Sequence, residues 1–177
     1  MAHPDELNTL TTRDRRTVGQ SATSTTPALT ILHHPDVTRV GERVLLPQLA
    51  VAGGQVPVSR VEPLFGPPRG GPTRGLQTPF ISRKPVYLMG EPKGGVVISR
   101  DGTKTSVRVG DSRVDEQLMV PGPAIDIGVV LTMASDVVVL LHRVRGTRPA
   151  GAPDHGLVGA SDAPEEVRDR IDLVAAS

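Results

Sequence analysis

The chain contains no cysteine and no tryptophan. The first absence removes disulfides, thiolate metal sites and cysteine nucleophiles together, and it fits a reducing compartment, so the cytoplasm is the expected location. Aromatic residues are confined to Phe65, Phe80 and Tyr87, 2% of the sequence. That is too few for a base-stacking nucleic-acid surface or an aromatic cage. An excess of one charge is missing as well: 20 basic against 19 acidic residues leave a formal net charge of +1, and no global field draws the chain to nucleic acid. No stretch approaches the roughly 20 consecutive apolar residues of a membrane span, and Met1–Gln20 lacks the apolar centre of a signal peptide. The expectation is a soluble protein with an aliphatic core.

What is present is glycine, proline and valine. The 19 Gly and 17 Pro punctuate short Val-rich runs, the profile of an all-β domain. Strands are expected over Leu29–Leu32, Val40–Pro47, Val56–Val61, Val86–Met89, Gly95–Ser99, Thr103–Val109, Ala124–Ile127, Val129–Ala134 and Val137–His142, which suggests a sandwich. Turns are expected at Gly53-Gly54, Gly94-Gly95, Asp101-Gly102, Gly110-Asp111 and Pro121-Gly122-Pro123. None of these glycines sits in a G-x-x-x-x-G-K-[ST] or G-x-G-x-x-G pattern, so hairpin turns explain them better than phosphate loops. Gly66–Gly75 is a longer Pro/Gly-rich stretch carrying Arg69 and Arg74 without an acidic residue, expected as a mobile, cationic surface loop.

Four segments follow from these patterns. Residues 1–27 are Thr/Ser/Arg-rich without apolar periodicity, expected as a disordered arm. Residues 28–143 form the sandwich, and 144–154 read as a Pro/Gly linker. In 155–177, Asp162 followed by Glu165 marks a helix start, and Val167, Ile171 and Val174 at i, i+4 and i+7 make one apolar stripe.

No catalytic set assembles. His33, His34, His142 and His155 are scattered, and adjacent histidines on a strand point to opposite faces, a poor arrangement for one metal. There is no G-x-S-x-G elbow to recommend a serine. The expectation is a binding protein without enzymatic activity, cofactor or metal. The suggestive residues are two Ser-Arg pairs, Ser59-Arg60 and Ser82-Arg83, each at a strand end beside a flexible connection. An arginine fork with a neighbouring hydroxyl or N–H suits phosphate oxygens.

The segment Val58–Leu88 resembles the signature of forkhead-associated (FHA) domains, in which a Gly-Arg at one strand end is followed, after a variable loop, by Ser-Arg-x-His opening the next strand. Arg60 matches the first arginine and Ser82-Arg83 the second pair. Gly110–Gln117 stands where that family carries an Asn-Gly turn, and Ile125–Leu131 with Val137–Leu141 resembles its closing strands. The resemblance spans about Ala28 to Arg143. It implies an FHA-like β-sandwich of the SMAD/FHA type and a phosphothreonine-containing protein as partner. Arg60, Ser82 and Arg83 would contact phosphate, with Ser59 and Asp115 beside them and Arg69 and Arg74 steering an acidic partner. Four residues depart from the pattern: Ser59 for glycine, Pro85 for histidine, and Asp115-Glu116 for Asn-Gly. An ionised Asp115 accepts hydrogen bonds only and repels phosphate, which leaves open a phosphate-independent interaction or oligomerisation module.

His155–Ala175 resembles the opening of the AAA+ domain of sigma-54-dependent transcriptional activators through Leu157-Val158-Gly159, Ser161, Ala163, Val167, Ile171, Val174 and Ala175, with Pro164 for the usual methionine. This resemblance implies the regulatory input module of such an activator, continued by the truncated start of its ATPase domain. The missing AAA+ domain would be the route to a homo-oligomer, and this chain itself would make no membrane or direct nucleic-acid contact.

Overall fold

The computed structural model describes residues 25–68 and 70–145, together with Val167, Ile171 and Val174. Among the described residues lie ten strands: β1 (Thr25–His33), β2 (Arg43–Leu45), β3 (Gln55–Val58), β4 (Val86–Gly90), β5 (Val96–Ser99), β6 (Val107–Val109), β7 (Ser112–Arg113), β8 (Gln117–Val120), β9 (Val129–Met133) and β10 (Val137–Arg145). They form a six-stranded sheet in the order β2-β1-β10-β9-β6-β7 and a four-stranded sheet in the order β3-β4-β5-β8. Every pairing is antiparallel. The fold is the β-sandwich that the Val-rich runs indicated.

Period-2 alternation explains the two-layer core. On β10, Val137, Val139 and Leu141 are fully buried, while Val138, Leu140 and His142 between them are half-buried on the outer face. Val86 and Leu88 on β4 and Val96 and Ile98 on β5 meet them from the opposite sheet. Burying each such aliphatic side chain stabilises the fold by about 1.5–3 kcal/mol. With almost no aromatics, Phe65 is the one ring in this core.

Several expected boundaries move, each for a local reason. β1 begins at Thr25 and pairs with β10 through Thr25↔Arg145, which places Thr25–Pro27 and Val144–Arg145 in the sheet rather than in the arm and linker. Of the expected strand Val40–Pro47 only Arg43–Leu45 pairs; 3-10 turns Val37–Arg39 and Pro47–Ala50 take its flanks. Ala124–Ile127 is not a strand but belongs to a short helix, α1 (Gly122–Ile127). Proline in the first turn favours helical φ, Ile125 alone anchors inward, and Ile127 is left 89% exposed. Gly128, at φ 109°, ends the helix. Arg143 ties α1 and the Pro92–Gly94 turn to β10 by an ion pair to Asp126 at 2.7 Å and a hydrogen bond to the Gly94 carbonyl at 2.9 Å. β7, two residues long, is too short to register in sequence, and β8 carries exposed Gln117 and Met119 in place of a Val-rich run.

Val167, Ile171 and Val174 are helical and exposed, in keeping with the expected stripe. Residues 1–24 of the arm, Arg69 and the rest of the linker and of 155–177 lie outside the described residues, including His155, Leu157-Val158-Gly159, Ser161, Ala163 and Ala175.

A candidate binding site at one end of the sandwich

Loops converge at one end of the sandwich because strand register makes them converge. The pairs Val58↔Val86, Tyr87↔Ser99 and Ser99↔Gln117 put Ser59, Pro85, Arg100 and Glu116 at the same end of the four-stranded sheet. The β3–β4 connection and the β5–β6 loop therefore meet there.

The long β3–β4 connection has little strand pairing, so its backbone groups need other partners. Arginine side chains supply them. Arg39, 1% exposed, spends all five of its N–H donors. Two go to Glu42 Oε2 at 2.9 and 2.7 Å, two to the Gly75 and Leu76 carbonyls at 2.8 Å, and one to the Arg74 carbonyl at 3.2 Å. His34, also buried, donates through Nε2 to the Leu76 carbonyl at 2.8 Å while its Nδ1 accepts the Asp36 N–H at 3.0 Å. Both ring nitrogens are thus engaged in hydrogen bonds to the backbone. Phe65 and Arg74 exchange both backbone hydrogen bonds at 2.9 Å. Close packing adds a steric condition, since a Cβ on Gly75 would lie 2.5 Å from the Val61 carbonyl group.

Arg74, expected to steer a partner, is instead compensated by Asp36 at 3.2 Å and Glu42 at 3.5 Å. The expected loop Gly66–Gly75 is thus pinned at its stem. The Asp36 carboxyl sits below its ordinary value of 3.8, chiefly because the Thr38 hydroxyl donates to it, with the Thr38 N–H and the Arg74 charge pulling the same way. A depressed folded pKa stabilises the fold above the unfolded pKa, and the contribution disappears as pH falls through the folded one. Asp36→Asn is accordingly expected to lower the urea midpoint at neutral pH, with the difference from wild type shrinking as pH drops below 3.8.

Arg60 is the second clamp. Its Nε and Nη2 donate to the Ile81 and Pro79 carbonyls at 3.0 and 2.5 Å. Its own N–H donates to the Ser82 carbonyl at 3.1 Å and its carbonyl accepts the Gln77 N–H at 2.8 Å. As placed, this guanidinium positions a loop and has donors left over, rather than presenting a free fork. Ser59 differs from the expectation more sharply: it is fully buried, and its Oγ caps the next turn by accepting the Val61 and Glu62 N–H groups at 3.2 and 3.3 Å.

Ser82 and Arg83 are brought to the surface seam. The Ser82 N–H donates to Thr105 Oγ1 at 2.9 Å, Thr103 Oγ1 donates to the Lys84 carbonyl at 2.6 Å, and Ser82 Oγ accepts the Lys84 N–H at 3.0 Å. Arg83 and Lys104 each lie between these two contact points. Both are exposed, as is Lys84, and among the described residues none of the three has an ion-pair partner. Asp101, also exposed, stands on the same loop as Lys104.

Among the described residues Asp115 makes no hydrogen bond to Ser82–Lys84 or Thr103–Thr105. Its side chain is 86% exposed and turned toward Arg113 at 3.5 Å, its carbonyl accepts from the same Arg100 guanidinium that bonds the Thr105 carbonyl, and the hydrogen-bond partner of the Ser82 N–H is Thr105. Sequence reading missed Thr103 and Thr105 because hydroxyl residues in a turn-rich stretch carry no distinctive spacing. It also missed Arg100, which donates to the Thr105 and Val114 carbonyls at 2.8 Å and to the Asp115 carbonyl at 3.3 Å. Arg100→Ala is expected to cost about 1–3 kcal/mol through the unpartnered carbonyls and to speed amide hydrogen exchange across residues 103–106.

No protein-family model matches the chain, and no curated protein matches it. Among solved structures it is similar to the FHA domain of the CT664 protein from Chlamydia trachomatis, at 18% identity and a TM-score of 0.46 over 67% of this chain and 97% of that one. It is likewise similar to the FHA domain of an Arabidopsis thaliana hypothetical protein, at 17% identity and a TM-score of 0.49 over 71% of this chain and 92% of that one. The reading of the site rests on the chain's own geometry.

Proposed function

We propose that this chain is an FHA-like interaction module that binds a phosphothreonine-containing protein at the seam between Ser82–Lys84 and Thr103–Thr105. The single observation that carries the reading is the grouping of Arg83, Lys84 and Lys104, exposed and without ion-pair partners among the described residues, on loops held by hydrogen bonds. A preorganised set of cations lowers the entropy lost on capturing a dianion, and an arginine fork adds bidentate geometry. The role is recognition rather than catalysis, in the cytoplasm.

Arg60 serves this site chiefly as a positioning residue, through its bonds to the Ile81 and Pro79 carbonyls. The resemblance of 155–177 to the start of a sigma-54 activator ATPase domain supports a place as the regulatory input module of such a regulator.

The experiment is calorimetric titration of the 177-residue protein with a degenerate phosphothreonine peptide pool and its unphosphorylated counterpart. Binding confined to the phosphorylated pool is expected. Equal binding to both pools favours a phosphate-independent docking module instead, and binding to neither overturns the reading.

A further inference from the structure

Two apolar surfaces of this chain have no partner among the described residues. The first is the outer face of the six-stranded sheet. Alternation puts Val138 and Leu140 of β10 there with Val130 of β9, which is in register with Leu140. On the other side of β10 a bulge between Ile31 and His33 leaves Leu32 of β1 beside Val138, and both Leu32 and Val130 are exposed. Gly128 lies against this face, since a Cβ on it would stand 3.2 Å from Leu140 Cδ1, and it places the exposed Ile127 at the border. Arginines surround the apolar centre: Arg43, which donates to Thr30 Oγ1 at 3.2 Å, and Arg108 and Arg113, directly opposite each other on β6 and β7. Like charges in register repel, and the carboxylate nearest to them is Asp115, in an exposed 3.5 Å pair with Arg113. The second surface is the stripe of Val167, Ile171 and Val174, helical and exposed.

We infer that residues 162–175 of the same chain dock on this face, with Val167, Ile171 and Val174 over Leu32, Val138, Leu140 and Val130. The dimensions agree. Val167 to Val174 spans about 10 Å of helix, and three neighbouring strands, β1, β10 and β9, are about 10 Å across. Charge agrees as well: residues 162–175 carry Asp162, Glu165, Glu166, Asp169 and Asp172 against Arg168 and Arg170, an acidic excess facing a rim of arginines. Reach is ample, because the chain from Arg145 to Val167 can extend to roughly 70 Å, against about 17 Å from Arg145 back along β10 to Leu140. Tethering decides the occupant. So few side chains make too small a patch for a stable complex of two free proteins, but an attached segment meets the face at a millimolar effective concentration. The face thereby becomes a clasp between the sandwich and the segment beyond the linker. This inference is independent of the seam, which lies on the connections of the four-stranded sheet.

The test is amide hydrogen exchange of the full chain over residues 165–175, at two protein concentrations, in wild type, Val130→Asp, Ile171→Glu and the double variant. Leu32→Asp repeats the face substitution on the neighbouring strand, and the amides of 137–141 report that each variant is folded. Wild type is expected to exchange over 165–175 roughly tenfold more slowly than Ile171→Glu, at a rate independent of concentration. Val130→Asp and Leu32→Asp are expected to speed exchange there as Ile171→Glu does, and the double variant to be no faster than either single change, because both remove one contact. Wild-type exchange as fast as that of Ile171→Glu overturns the docking, as does protection that survives in both Val130→Asp and Leu32→Asp. Protection that grows with protein concentration assigns the face to a second copy and overturns the tethered occupant.

Discussion

Arg39→Met is expected to lower the unfolding free energy by about 3–5 kcal/mol, the range for breaking a buried ion pair by removing one partner. Methionine keeps the volume and loses every donor. The Glu42 carboxylate is then left buried with only the longer 3.5 Å contact to Arg74, and the Arg74, Gly75 and Leu76 carbonyls lose an acceptor role each. Urea denaturation measures the loss. The double variant Arg39→Met with Glu42→Leu is expected to recover part of it, since removing both charges avoids the stranded carboxylate. A single-variant cost below about 1 kcal/mol, the worth of an exposed pair, contradicts the clamp. The consequence reaches the site, because Arg74–Leu76 leads directly into the segment that Arg60 fastens.

The second large effect concerns binding. Arg83→Ala is expected to weaken phosphopeptide affinity by roughly tenfold to a hundredfold, which corresponds to hydrogen bonds with a charged partner at about 1.5–3 kcal/mol. Arg83→Lys is expected to recover only part, because an ammonium cannot reproduce the bidentate fork. Lys84→Ala and Lys104→Ala are expected to act less strongly and to flatten the salt dependence, as point charges do. None of the three changes is expected to move the urea midpoint, since these side chains are exposed. Calorimetric titration at two salt concentrations separates the cases. An unchanged affinity in Arg83→Ala removes the central residue of the proposed site.

Loops held together by buried and half-buried arginines also explain why the candidate site reads so unevenly in sequence. Ser82-Arg83 stood out as a pair between a loop and a strand, and the structure places it in the seam, in the connection ahead of β4. Arg60 was picked out for a phosphate contact and is found clamping the loop. Ser59 looked like a hydroxyl available to a ligand, yet it is buried under its own turn. Asp115 stood out for its Asn-Gly position, whereas Thr105, which is hydrogen-bonded to Ser82, carried no such mark. A linear pattern cannot rank such neighbours, since one residue of register decides which side chain faces a loop and which faces solvent.

The sequence by itself determined the class of fold and most of its strands. Alternating Val and Leu between glycine turns can satisfy both hydrogen bonding and burial in few ways other than two packed antiparallel sheets. Only the tertiary structure decided the roles of the charged residues. An arginine is read as surface by default, because burying its charge is costly unless every donor finds a partner. Those partners are backbone carbonyls up to 37 residues away for Arg39 and 21 for Arg60, and nothing local in the sequence marks them. The same long-range contacts set Phe80 in solvent and Phe65 in the core, although the two phenylalanines flank the same Pro/Gly-rich stretch: Phe65 is bridged to Arg74, whereas the carbonyls on either side of Phe80 are tied to Arg60.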